Sequence, residues 1–200
     1  MQGLPTTFSS TVAKVPTAVN QLNLAGVGMR RKNFYIAEVD VYLVGINLSN
    51  KALKRAQEWS ATRKGEITLV DYLTQDRADK KVPTDVAISA TLRFCRTITR
   101  EQFLGAFDDS FKGCSPDAVS AFKERVGKVM ASGSLTQKDE AGMYWLDNGD
   151  FIFSVNGELS ERLTNTELNK RLLEVYLDPT RTVSKELYTC LETHINDVSP

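Results

Sequence analysis

An α+β fold, an antiparallel sheet with helices packed on one side, is predicted by the order of elements: strand-like runs, then helices, then a strand meander, then helices again. Three observations carry this. The first half is rich in β-branched and aromatic runs without the strand–helix alternation of a parallel sheet. Two Asn-Gly dipeptides, Asn148-Gly149 and Asn156-Gly157, interrupt the apolar run from Tyr144 to Leu163, as in a three-stranded meander. Capping residues precede each apolar helical stripe of the second half. Two hundred residues, 42% hydrophobic and 25% charged, suffice for one core, and no repeat or Pro/Gly-rich linker divides them. One domain over residues 1–200 is expected.

Thr7 to Val15, Leu22 to Val27, Phe34 to Leu48, Glu66 to Leu73 and Asp85 to Phe94 read as strands from their composition and partial alternation. Between Val39 and Gly45, alternation puts Asp40 and Tyr42 on one face and Val39, Val41 and Leu43 on the other. A short helix is expected from Ser49 through Leu53 and Ala56 to Trp59. Thr99 and Gln102 have capping-box spacing ahead of Phe103, Phe107 and Phe111, and Gly113 supplies a left-handed terminator, which predicts a helix over 100–112. Ser115, Pro116 and Asp117 open a second helix running to about Ser132, with Val119, Phe122, Val126 and Val129/Met130 inward. In the meander, Asn-Gly suits a type I′ turn because both central residues must take positive φ. Thr164 with Glu167 repeats the capping box before Leu168, Leu172 and Val175/Tyr176. Val183, Leu187, Leu191 and Ile195 make a last stripe after Pro179.

Composition excludes several function classes. Lys plus Arg equals Asp plus Glu at 25 each, so no net field favours nucleic acid or an anionic membrane. One histidine, His194, leaves no His-rich metal site and no obvious Ser-His-Asp triad. Cys95, Cys114 and Cys190 show no paired spacing, so a reducing compartment, plastid stroma or cytoplasm, is expected. No apolar run approaches the roughly 18 residues of a membrane span. Met1 to Pro5 lacks the charged and apolar regions of a signal peptide, while a leader trimmed before Met1 would leave no trace. Gly26 and Gly28 lack the third glycine and following helix of a dinucleotide loop, and Asp108 and Asp109, about 100° apart on a helix, cannot share a proton. No cofactor or metal is implied. Arg30-Arg31-Lys32 is the sharpest positive cluster, readable as a solvated strand end or as a clamp for a carboxylate or phenolate. The Phe103/Phe107/Phe111 stripe fits plain core or a cavity lining.

Gly26-Val27-Gly28-Met29-Arg30-Arg31-Lys32, followed by the strand Val39 to Leu48, resembles the chalcone isomerase fold family, whose pattern is roughly G-x-G-x-R-x-K and then K-V-Y-A-V-G-L-Y-L. Ser154-Val155-Asn156-Gly157, Leu172 to Leu177 and Val183-Ser184 resemble the family's closing hairpin and helices, so the likeness covers nearly the whole chain. It implies an open-faced β-sandwich: a long antiparallel sheet whose helical layer covers a ligand cleft. The family comprises isomerases, fatty-acid-binding proteins and non-catalytic auxiliaries of flavonoid enzymes. The isomerases need an arginine beside the attacking phenolate and hydroxyls holding a water against the enolate. Arg30 matches the arginine. The isomerase threonine corresponds to Tyr42, which the fatty-acid-binding branch carries as tyrosine; its helix tyrosine falls on Phe103, its asparagine on Ser110, and its late serine or threonine on Asn169.

Losing even one preorganised donor typically costs about 100- to 1000-fold in rate, so isomerase chemistry is not expected. The resemblance implies instead that Arg30 and Tyr42 hold a carboxylate at the mouth of a cavity lined by Phe103, Phe107 and Leu172, with an acyl chain inside. Asn47 stands where the family usually has tyrosine, and Asp40 where it has lysine. From the face of Tyr42, Asp40 is placed to pair with Arg30 and compete with a ligand carboxylate. The expected function is non-catalytic binding of a fatty acid or related lipid carboxylate by a monomer. The alternatives are a chalcone–flavanone isomerase, or an auxiliary protein of polyphenol metabolism that binds a phenolic ligand or a partner enzyme.

Overall fold

Two long strands, β1 (Leu22–Phe34) and β2 (Ala37–Ser49), pair antiparallel at one side of the sheet in the computed structural model, which describes residues 22–34, 37–75 and 85–197. The expected strand Thr7–Val15 lies outside the described residues. β3 (Val86–Phe94), β6 (Glu140–Leu146), β7 (Phe151–Val155) and β8 (Glu158–Leu159) complete a six-stranded sheet in the order β1-β2-β3-β6-β7-β8, every described pair antiparallel. β4 (Ile98–Thr99) and β5 (Ser134–Leu135) form a small separate pair.

Alternation sets which face is covered. Val44, Ile46 and Leu48 of β2, Ile88, Ala90 and Leu92 of β3, and Met143 and Trp145 of β6 join one core with the apolar stripes of α1 (Asn50–Thr62), α2 (Leu69–Thr74), α3 (Arg100–Gly105), α4 (Pro116–Val129), α5 (Thr166–Leu177) and α6 (Lys185–Asp197). The opposite residues Tyr144, Leu146 and Ile152 form a second buried cluster with Val86. This is the α+β, one-sided helical arrangement expected from the order of elements. No helix among the described residues is long and apolar enough to cross a membrane.

The glycines Gly26 and Gly28 have a packing role. A Cβ on Gly28 would stand 2.5 Å from Ser184 Oγ and 2.6 Å from Leu187 Cβ, and one on Gly26 3.1 Å from Leu191 Cβ. Without side chains at these positions, α6 lies directly on β1 and buries Leu187, Leu191 and Ile195 to 0%, 1% and 3% exposure. Each such burial is worth about 1.5–3 kcal/mol.

Several local expectations are corrected. Residues 66–73 form no strand: Thr68 Oγ1 accepts from the Asp71 N–H at 3.0 Å and caps α2, so capping outweighs the β-branched composition. The helix over 100–112 stops at Gly105, and hydrogen-bonded turns carry Phe107 and Phe111 into the core as far as Gly113, at φ 90°. Gly105 and the Asp108-Asp109-Ser110 run are poor helix formers. Asn165, not Thr164, caps α5, accepting from the Leu168 N–H at 2.8 Å. The meander is present. Its second turn is of type I′, with Asn156 at φ 51° and Gly157 at 83°. Its first is a three-residue loop in which the Gly149 N–H reaches Leu146 O at 2.9 Å and Gly149 alone, at φ 91°, is left-handed.

Urea unfolding tests the α6 seat. Gly28→Ala is expected to lower the unfolding free energy by about 1–3 kcal/mol. Gly127→Ala inside α4, where the nearest atom is 3.8 Å away, is expected to raise it by about 0.5–1 kcal/mol.

Candidate ligand-binding site

Arg30 and Tyr42 face each other across the β1–β2 pair, and immediately beyond them the register slips: Arg30 pairs with Tyr42 but Arg31 pairs with Asp40, so Val41 is an extra residue on β2. The slip turns two consecutive arginines toward the helical layer, where strict alternation would send them to opposite faces. Arg31 reaches Glu186 of α6 at 2.5 Å and Asp40 at 3.0 Å. Arg30 Nη1 donates to the Val183 carbonyl, just before α6, at 3.3 Å. The expected Asp40–Arg30 pairing is therefore corrected: Asp40 serves Arg31. Among the described residues Arg30 meets no carboxylate within ion-pair range.

Tyr42 is partly buried, close enough to feel the Arg30 charge and the Tyr176 phenol of α5. Tyr176 is fully buried and also lies 3.4 Å from Met143 Sδ. Burial raises the Tyr42 phenol above its ordinary value, while the Arg30 charge and the neighbouring Tyr176 phenol pull it down. Tyr176 is pushed well above by burial and by Tyr42, with Arg30 again opposing. Both phenols stay protonated at neutral pH and are hydrogen-bond donors rather than bases.

From Tyr42 the aromatic rings continue inward. Phe94 lies 6.0 Å from Tyr42, Phe103 6.4 Å from Phe94, and Phe107 5.5 Å from Phe103. Phe122, Phe151, Trp145 and Tyr176 follow at 5.7, 6.3, 5.3 and 6.2 Å. Of the expected site residues, Arg30, Tyr42, Phe103 and Phe107 are thus linked. Leu172 is fully buried in the same core. Ser110 sits half-buried in the turn after α3.

Asn169 is placed elsewhere. It packs against Trp145, whose strand partner Ile88 lies six residues along β3 from Phe94, the partner of Tyr42. That is about 20 Å along the strand. Two turns later on α5, Tyr176 is the residue that reaches Tyr42, and sequence reading absorbed it into an apolar stripe. The available signal was a hydroxyl four residues beyond Leu172 on the buried face.

No family model and no curated protein matches the chain. Among solved structures, a fatty-acid binding protein of Arabidopsis thaliana superposes with a TM-score of 0.65 and 13% identity, over 92% of this chain and 92% of that one. The chain has the chalcone isomerase-like fold. At this identity the likeness is one of fold, and it fits the open-faced sheet with one helical layer. Within that fold, the G-x-G-x-R run has a physical account here: two glycines admit α6 and the arginine follows at its N-terminal end.

Ultraviolet titration of the phenols tests the electrostatics of the site. Because the Arg30 charge lowers both values, Arg30→Met is expected to move Tyr42 and Tyr176 to still higher pH. Their folded values exceed the unfolded one of about 10, so the stability they contribute is present below about pH 10 and is lost as pH rises through the folded values.

Proposed function

We propose that this chain binds a fatty acid or a related lipid carboxylate without chemical turnover, the head group lying between Arg30 and Tyr42. The observation that carries the reading is the charge state of the pair. A guanidinium without a carboxylate partner among the described residues stands beside two protonated phenols, at the edge of an aromatic core. A carboxylate placed there would accept a charge-assisted bond from Arg30 and a hydrogen bond from the Tyr42 hydroxyl. Phe103, Phe107 and Leu172 would flank the acyl chain, each buried methylene adding about 0.8 kcal/mol. The name of the Arabidopsis protein of the same fold is consistent with this ligand class. Phe103 argues against isomerase chemistry, because it sits 4% exposed between Phe94 and Phe107 and offers no hydroxyl to an enolate.

Native mass spectrometry of the purified protein, with extraction of released ligand, tests the reading. Wild type is expected to carry or take up a fatty acid. Arg30→Ala is expected to bind about 10- to 100-fold more weakly, as loss of a charge-assisted hydrogen bond predicts. Uptake unaffected by Arg30→Ala, or accelerated chalcone cyclisation by wild type, overturns it.

A further inference from the structure

The two Asn-Gly dipeptides of the meander, Asn148-Gly149 and Asn156-Gly157, share a chemical liability. In such a pair the glycine amide nitrogen can attack the asparagine Cγ, because the next residue has no side chain to block the approach. Whether the folded chain allows this depends on what holds the asparagine, and the two turns hold theirs differently. Asn156 is held at both ends of its amide. Its Oδ1 accepts from the Glu140 N–H at 2.9 Å, and its Nδ2 donates to Asp139 Oδ1 at 2.7 Å. Hydrogen bonds from Asn156 and then Thr136 keep the Asp139 carboxyl below the ordinary carboxylate range, so it is ionised at neutral pH and the bond is charge-assisted. Cyclisation at Asn156 gives up both bonds.

Asn148 is held at one end only. Its Oδ1 accepts from the Asp150 N–H at 3.0 Å, closing an Asx turn over Gly149, while its Nδ2 has no partner among the described residues. That turn suits the reaction. As the Gly149 nitrogen adds to Cγ, negative charge builds on Oδ1, and the Asp150 N–H already stands there to stabilise it. The bond given up is the one from the Gly149 N–H to Leu146 O at 2.9 Å, between neutral groups.

We propose that Asn148 is a site of spontaneous covalent modification, deamidating to an isoaspartyl linkage with Gly149, while Asn156 is protected by the fold. The Gly149 nitrogen adds to Cγ and releases its proton, the Cγ–Nδ2 bond breaks, and Nδ2 departs as ammonia carrying that proton. One water then opens the succinimide. Opening at the former side-chain carbonyl gives an aspartyl residue, and opening at the main-chain carbonyl gives an isoaspartyl residue whose main chain runs through an extra methylene. Either product sets a new carboxylate between Asp147 and Asp150. The Leu146 N–H closes this loop on Asp150 O at 2.8 Å, and the Gly149 carbonyl takes the Asn169 Nδ2 of α5 at 2.8 Å. A methylene added there loosens the hold of the loop on α5. The inference is independent of the carboxylate reading.

The full chain, kept in warm, mildly alkaline buffer and mapped by peptide mass spectrometry with enzymatic methylation of isoaspartyl carboxyls as the marker, tests it. Modification is expected at least about tenfold faster at Asn148 than at Asn156, since one site gives up a single neutral hydrogen bond and the other gives up two, one of them charge-assisted. In urea-unfolded chain the two are expected to react at similar rates. Asp139→Ala is expected to speed the reaction at Asn156 and leave that at Asn148 unchanged. Equal rates in the folded chain, faster reaction at Asn156, no reaction at Asn148 over a time in which the unfolded chain reacts, or an unchanged Asn156 rate in Asp139→Ala overturns the proposal.

Discussion

The direct seating of α6 on β1 is the constraint on which the rest of the molecule depends. With a side chain at Gly28, the helix would stand off the strand, because the new atom would occupy the space of Ser184 and Leu187. Seated, it brings the Val183 carbonyl to Arg30 and Glu186 to Arg31. It also supplies Leu187, Leu191 and Ile195 to the core beneath. The register slip at Arg30/Arg31 completes the arrangement by aiming both arginines at the helical layer. One is neutralised by two carboxylates and the other is left with a carbonyl. A strand without the slip would present a single arginine there, with Asp40 opposite Lys32. The fold thus sorts two adjacent, chemically identical side chains into an anchor for α6 and a cation that meets no carboxylate among the described residues.

Much of this was legible in the sequence where local chemistry agreed with tertiary packing. Ser115 and Thr99 cap the helices they announce, and the Asn156-Gly157 turn has the backbone it calls for. The G-x-G-x-R run and the strand holding Tyr42 suggested the fold. What failed did so for identifiable reasons. Around residue 68, composition favoured a strand, but a single threonine cap decided the conformation, since β-propensity chiefly reports packing surface rather than a backbone preference. The slip beside Arg30 breaks a strictly two-residue period that sequence reading has to assume. Asn169 and Tyr176 lie on one buried helix face, so periodicity alone cannot say which end of it meets Arg30. Only the position of α5 against β6 settles that.

The central claim is that the Arg30 charge is kept available for a carboxylate. Nuclear magnetic resonance titration of a fatty acid labelled with ¹³C at its carboxyl, bound to the wild-type chain, tests it most directly. The account predicts that the bound carboxyl titrates below its value free in solution, because an adjacent guanidinium favours the charged form. A bound carboxyl titrating at or above the free value would place the head group away from Arg30 and contradict it.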